Sequence, residues 1–210
     1  QWRGRDMAKC YHAVPLDMVG DRLIPLHALK ERNEELYKKK SSKYAGREVV
    51  MEIKVPLGDG QFARWNDFIF ASLVHPHHMH EALVAAGATP AEEGHEGGEV
   101  YYEIGIKNQI EEGKLVMLFY TTYPPIRDES GGIQFDARDF RTLTLDNFDT
   151  LTDEALTEEG LPKATADYYK EVVDCRAAGK PAAIRLFHHV PHILIRGDVP
   201  VNGLKSVHWK

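Results

Sequence analysis

Two segments of this chain, Phe68-Ile69-Phe70-Ala71-Ser72-Leu73-Val74 and Lys114 to Thr121, are apolar on both of their alternating faces. A strand with no polar face belongs inside a sheet that is covered from both sides, so both segments are expected to be central. Shorter stretches supply further strands. Ala8 to Val14 places Cys10, His12 and Val14 on one face and Tyr11 and Ala13 on the other. Glu48 to Val55 alternates Val49, Met51, Ile53 and Val55 against Glu48, Glu52 and Lys54, as a half-buried strand does. Glu99 to Ile106, Ala182 to His188 and Leu204 to Trp209 complete the set, with Pro191 beginning a turn.

Three segments carry helical signals. Leu23 to Lys40 has Pro25 in its first turn and Leu26, Leu29, Leu36 and Tyr37 along one stripe. Pro76 to Ala86 is stopped by Gly87, and Lys163 to Ala178 is closed by Gly179. Ala88 to Gly98 reads as a polar loop. Pro124 to Thr150 reads as a long irregular excursion with a short strand near Phe140 to Leu145. Strands and helices do not alternate regularly. The predicted fold is therefore a single α+β domain over residues 7–210, with a mixed or antiparallel central sheet of about six to eight strands and about three helices.

The chain has 210 residues, 43% of them hydrophobic, enough for a core without metals or disulfides. A formal net charge of -6 argues against nucleic-acid binding driven by charge. Cys10 and Cys175 show no zinc or redox spacing and read as free thiols of a reducing, cytoplasmic setting. No apolar run approaches a membrane span. Gln1 to Asp6 resembles no targeting signal and reads as a leader ahead of Met7.

Polar residues interrupt the apolar sequence at three places: Cys10-Tyr11-His12, Trp65-Asn66-Asp67, and Phe187-His188-His189-Val190-Pro191-His192. A buried imidazole or carboxylate costs free energy unless it is paired. His12 is either a core histidine bonded to backbone or a donor held for a ligand hydroxyl. Asn66 and Asp67 are either turn formers or polar groups at the mouth of a central strand, with Trp65 as an apolar wall. Asn33, in the stripe of its helix, is either a surface-edge residue or a donor aimed into a pocket. His188 and His189 are candidates for acid–base work, or one is buried and the other solvated. The run Lys38-Lys39-Lys40-Ser41-Ser42-Lys43 is expected to be a solvated helix end rather than a phosphate patch. His77 and His80 share a helical face, but HExxH is absent and no metal site is expected. GxSxG, P-loop, GxGxxG and paired CxxC motifs are also absent, which speaks against a serine hydrolase, a P-loop NTPase and a Rossmann dehydrogenase.

Cys10-Tyr11-His12-Ala13-Val14-Pro15, then Leu23-Ile24-Pro25-Leu26 and a helix, resembles the opening of ADP-ribosyltransferase-like proteins. The branch is that of DNA-modifying ADP-ribosyltransferase toxins and RNA 2′-phosphotransferases. Asp67-Phe68-Ile69-Phe70-Ala71-Ser72 resembles their second strand, and Ala183 to Phe187 with Val190-Pro191 resembles their last one. The chain is also similar to small bacterial proteins that share the Tyr-His start, the Lys43 to Glu48 segment, Trp-Asn-Asp and Val-Pro-His-Ile-Leu. The resemblance implies an ADP-ribosyltransferase-like fold, NAD as ligand, and ADP-ribosyl transfer or NAD glycohydrolysis. It implies that His12 holds the nicotinamide ribose and that Phe68 or Phe70 lies near the nicotinamide. The branch's glutamate would fall near the start of the last strand, where Ala183 stands, leaving Glu48 or Asp67 to replace it.

The expected nucleotide site comprises Tyr11, His12, Asn33, Trp65, Asn66, Phe68 and Phe70, with His12, Asp67, His188 and His189 as catalytic candidates. Two alternatives stand beside it: an acid–base or metal-assisted enzyme run by His188, His189 and His192, with the His75 to His80 cluster as a further contributor, and a non-catalytic ligand-binding protein.

Overall fold

Phe68 to Ser72 is the middle strand of a seven-stranded sheet, as its two apolar faces require. The computed structural model describes residues 8–18, 20–46, 48–88, 100–121, 126–127, 133–156 and 160–209. In chain order the strands of this sheet are β1 (Lys9–Ala13), β2 (Phe68–Ser72), β3 (Val100–Gly105), β4 (Val116–Phe119), β5 (Phe140–Thr142), β6 (His192–Arg196) and β7 (Lys205–His208). Their spatial order is β5-β4-β6-β2-β1-β3-β7, and every neighbouring pair is antiparallel. One row of paired residues crosses all seven strands: Phe140, Phe119, His192, Ser72, Tyr11, Glu103 and Lys205. Paired residues project to the same face, so His12, the neighbour of Tyr11, projects to the opposite face from His192.

Among the described residues six helices surround the sheet: α1 (Leu26–Arg32), α2 (Glu34–Ser41), α3 (Pro76–Ala85), α4 (Ile106–Glu111), α5 (Phe148–Glu154) and α6 (Lys163–Ala177). On one face, Ile106 and Phe148 join Cys10, Ile69, Leu118, Ile193 and Ile195 in a buried cluster. The other face carries two clusters. Met79 and Leu83 of α3 and Tyr169 of α6 pack near Tyr101 and Val207. Val55 and Ala63, from a hairpin of Lys54–Gly58 and Gln61–Arg64, pack with Phe68, Met117, Phe119 and Leu194. The sheet is thus covered from both sides. The pairing of β1 with β2 is confined to a single position, Tyr11 opposite Ser72, whereas β1 pairs with β3 along its whole length. The sheet is therefore split between β1 and β2 beyond that point.

Several expectations need correction. Leu23 to Lys40 is not one helix. Asn33 leaves helical geometry at φ -155°, and its side-chain oxygen accepts the Leu36 N–H at 3.0 Å, ending α1 and capping α2. Leu23 lies instead in a short strand, Arg22–Leu23, paired with Val199–Pro200. Glu48 to Val55 is not a strand throughout: Glu48–Glu52 is a 3₁₀ turn, and the Glu48 carboxylate accepts the Gly46 N–H at 2.9 Å. This local bond competes with extension. Ala182 to His188 forms no strand either. Side chains of α6 take its backbone groups: Arg176 donates to the Ala182 carbonyl at 2.6 Å, and the Tyr168 hydroxyl accepts the Arg185 N–H at 3.1 Å. Pro191 does not begin a turn but leads into β6.

Strand β4 is buried on both faces but lies second from the sheet edge, not at the centre. Among the described residues the helices number six rather than about three, because α1 and α2 are separate and α4 and α5 are too short to leave a clear periodicity. Gln1 to Asp6 and nearly all of the Ala88 to Gly98 loop lie outside the described residues. The described parts of 124–150 contain β5 and the start of α5. Among the described residues no helix is long and apolar enough to cross a membrane.

Ile193 is fully buried in β6. Ile193→Ala is expected to destabilise the fold by about 2–5 kcal/mol, and Asn33→Ala by about 1 kcal/mol through the lost cap. Urea unfolding checks both, and the order of the two effects is the outcome to look for.

Candidate functional site

The split between β1 and β2 opens a cleft of about 470 Å³. His12, Phe68, Ile69, Phe70, Phe119 and His192 reach it from the sheet. Leu26 and Leu29 of α1 and Lys40 at the end of α2 form its roof, continued by Lys43 and Tyr44. Trp65 and Asn66 close one side. A smaller recess of about 80 Å³ adjoins it, sharing His12, Leu29, Lys40 and Ile69 and adding Met18 and Arg22.

The two imidazoles are anchored in the same way. His12 Nδ1 lies 2.7 Å from the Ala13 carbonyl oxygen, and His192 Nδ1 lies 2.8 Å from that of Val190. A carbonyl can only accept, so each Nδ1 carries the hydrogen and each Nε2 is left with its lone pair. Burial pushes the pKa of both rings down to about 4. Lys40 and Lys43 push His12 further down, against the opposing pull of the Ala13 carbonyl. For His192 only the Val190 carbonyl opposes burial. Both rings are neutral at pH 7.

Trp65 is held in an aromatic nest. Its ring centroid lies 4.3 Å from that of Phe70, 5.3 Å from Phe119 and 5.6 Å from Phe135. It occupies a 3₁₀ turn, Trp65–Asp67, that delivers the chain into β2. The Asn66 amide donates to the Met51 carbonyl at 3.3 Å. The turn is held by Asp67, which accepts the Arg64 N–H at 2.9 Å and the His27 Nδ1 hydrogen at 2.7 Å.

The structure therefore brings His12, Trp65, Asn66, Phe68 and Phe70 into one cleft. The other expected residues lie elsewhere. Tyr11 is on the opposite face from His12, edge-on to His75 at 4.7 Å. Asn33 is engaged as a helix cap. Asp67 caps its turn and borders a separate depression with His27, Arg32 and Arg196. His188 and His189 stand beside Tyr168 of α6, ring centroids 4.3 and 6.3 Å away, and do not line the cleft. Ala183 contacts the Tyr168 hydroxyl, and Glu48 is spent on Gly46. Among the described residues no carboxylate lines the cleft.

His192, Lys40, Lys43, Tyr44 and Phe119 belong to the cleft although the expected site omits them. The lysine run divides. Lys38 pairs with Glu34 and Lys39 with Asp17, whereas Lys40 and Lys43 line the cleft, Lys40 also lying 3.5 Å from Asp17. Lys43 is exposed, as a solvated helix end requires, whereas Lys40 is half-buried, and there the expectation is corrected. The signal for His192 was present in Ile193 and Ile195, which alternate with it and with Leu194 as a strand requires. In the other histidine-rich segment His77 pairs with Glu81 at 3.5 Å. No group of three or more metal-ligating side chains occurs among the described residues.

The neutral imidazoles make the fold acid-sensitive. The unfolded chain protonates them near pH 6.5, the folded chain only near pH 4. Their contribution is thus complete above about pH 6.5 and is lost as the pH falls toward 4, by up to about 3 kcal/mol per ring before solvent screening. Urea unfolding between these limits is expected to show stability rising with pH, and the slope to flatten in His12→Gln/His192→Gln.

Comparison with known proteins gives no match among family models, curated proteins or solved structures, so the reading of the cleft rests on its own residues.

Proposed function

We propose that the cleft between β1 and β2 binds a nucleotide of the NAD type. One observation carries this reading: an aromatic wall, two lysines and two acceptor imidazoles line the same cavity. A nucleotide presents the three complements. Its base or nicotinamide offers a flat ring to Trp65, Phe70 and Tyr44. Its phosphates offer negative charge to Lys40 and Lys43. Its ribose offers hydroxyl donors to nitrogen atoms that accept while the rings are neutral. A cavity of about 470 Å³ falls within the usual size range of small-molecule sites. The resemblance to ADP-ribosyltransferase-like proteins supports NAD in particular and places the architecture in the same proposal.

ADP-ribosyl transfer and NAD glycohydrolysis pass through an oxocarbenium-like state that a carboxylate stabilises. Asp67 and Glu48 are committed to local backbone bonds. The geometry therefore supports binding ahead of glycosidic chemistry. Of the acid–base alternative's His188, His189 and His192, His192 lines the cleft beside His12 while the other two do not.

Millimolar NAD, ADP-ribose and AMP are expected to raise the melting temperature, with stabilisation approaching about 2.7 kcal/mol once ligand exceeds its Kd about a hundredfold. Adenosine, which lacks phosphate, is expected to bind more weakly. Trp65→Ala and Lys43→Ala should each lower affinity severalfold, as read by calorimetric titration. No thermal shift with any phosphorylated nucleotide would overturn the proposal.

A further inference from the structure

We propose that this cleft cleaves the phosphodiester of a short ribonucleotide by paired acid–base catalysis, with His12 as base, His192 as acid and Lys40 and Lys43 as the charge clamp. The proposal rests on the nucleotide reading of the cleft but not on NAD as the nucleotide.

Three features of the geometry lead to it. The rings lie on neighbouring parts of one cavity, yet they come from opposite faces of the sheet, since His192 is in register with Tyr11 through Ser72 and His12 alternates with Tyr11. In-line displacement at phosphorus needs a base and an acid on opposite sides of the reacting centre. Each ring is tethered through Nδ1 to a backbone carbonyl, which fixes its tautomer and commits Nε2 to proton transfer. Lys40 and Lys43 line the same cavity, where a phosphorane's growing negative charge needs cations.

The groups around each ring assign the roles. His12 faces Lys40 and Lys43, with Asp17 beyond them paired to Lys39 and Lys40. Those cations favour its neutral form and make it the base. His192 has the ring of Phe187 at 5.9 Å, and among the described residues burial and the Val190 carbonyl are what act on it. It can take up a proton when an anionic phosphate enters, and so serves as the acid. In the reaction, His12 Nε2 accepts the proton of the ribose 2′-hydroxyl. The 2′-oxygen forms a bond to phosphorus, and the bond from phosphorus to the 5′-oxygen breaks. His192 Nε2 gives its proton to that 5′-oxygen. The products are a 2′,3′-cyclic phosphate and a free 5′-hydroxyl, and solvent resets the two rings. The chain's net charge of -6 disfavours long polyanions, so a dinucleotide or short single strand is the fitting substrate.

The test uses the full chain with uridylyl-3′,5′-adenosine in EDTA, products resolved by chromatography. Expected are a 2′,3′-cyclic phosphate and adenosine, formed at least tenfold faster at about pH 5.5 than at about pH 8, because the acid must enter protonated. His12→Gln and His192→Gln should each slow the reaction by about a hundredfold or more. His188→Ala, outside the cleft, should leave it unchanged. The deoxy analogue lacking the 2′-hydroxyl should be inert. Thermal shift with AMP is read on every variant, and a retained shift shows that a slow variant is folded with its cleft intact. No product from a protein that AMP still stabilises, or product that survives both histidine variants, overturns this inference and leaves the nucleotide site standing. No product and no AMP shift overturns both.

Discussion

The functional geometry depends on how little of β1 pairs with β2. The two strands meet at Tyr11 and Ser72, and the ladder goes no further. Ser72 is buried, and its hydroxyl donates to the Val74 carbonyl at 2.9 Å and accepts the Val74 N–H at 3.0 Å. That closed local turn ends β2 just where the pairing stops. Elsewhere the strands are tied outward: β1 to β3, continued by the Val14 N–H bond to the Val100 carbonyl, and β2 to β6 along its whole length. A sheet held on both flanks and joined at one point opens along the seam. Backbone polar groups along such a seam have strong reason to find partners, and a polar ligand can supply them.

The cleft's electrostatics follow from the same construction. An imidazole in a wholly apolar sheet would be costly, and one in open water would titrate near neutrality. The seam gives His12 and His192 an intermediate setting: each has one nitrogen bonded to a carbonyl and a ring buried enough to stay neutral. Lys40, which also reaches Asp17, and Lys43, whose ammonium lies over the Tyr44 ring, then bring positive charge to the cleft lining. A chain that is acidic overall thus carries a locally cationic cavity.

Legibility in the sequence tracked how local the deciding interaction is. The central strand was legible because Phe68 to Ser72 is buried on both faces wherever it sits. The long helix α6 was legible from its period and from Gly179, whose φ of +74° suits a helix end. Ala182 to His188 was not, because its alternation is that of a strand while its backbone is claimed by Tyr168 and Arg176 of α6. The same division holds at the site. His12, Trp65, Asn66, Phe68 and Phe70 stand out as polar or aromatic residues at strand positions, and all five reach the cleft. His192 shows its strand position in the alternation with Ile193 and Ile195, but its place in the cleft depends on its register with Ser72, a pairing across 120 residues of chain. Lys40 and Lys43 line the cleft because of where α2 ends, while Glu34 engages Lys38 and Asp17 engages both Lys39 and Lys40.

His192 shows why the cleft is more than a packing defect. On β6 its face-mate is Leu194, and its row neighbour on β4 is Phe119, both buried and apolar. A leucine at 192 would continue that surface and would remove a group whose ionisation opposes folding in acid. The bond to Val190 only satisfies one of the ring's nitrogens; it brings no segment of the chain together that Pro191 and β6 do not already join. The histidine therefore costs acid stability and adds little packing that an apolar residue would not supply. What it adds is an acceptor nitrogen, held in one tautomer, in a cavity shared with His12 and two lysines. Natural sequences hold such locally unfavourable groups where function requires them, and the seam between β1 and β2 is the part of this fold with room for a ligand to use one.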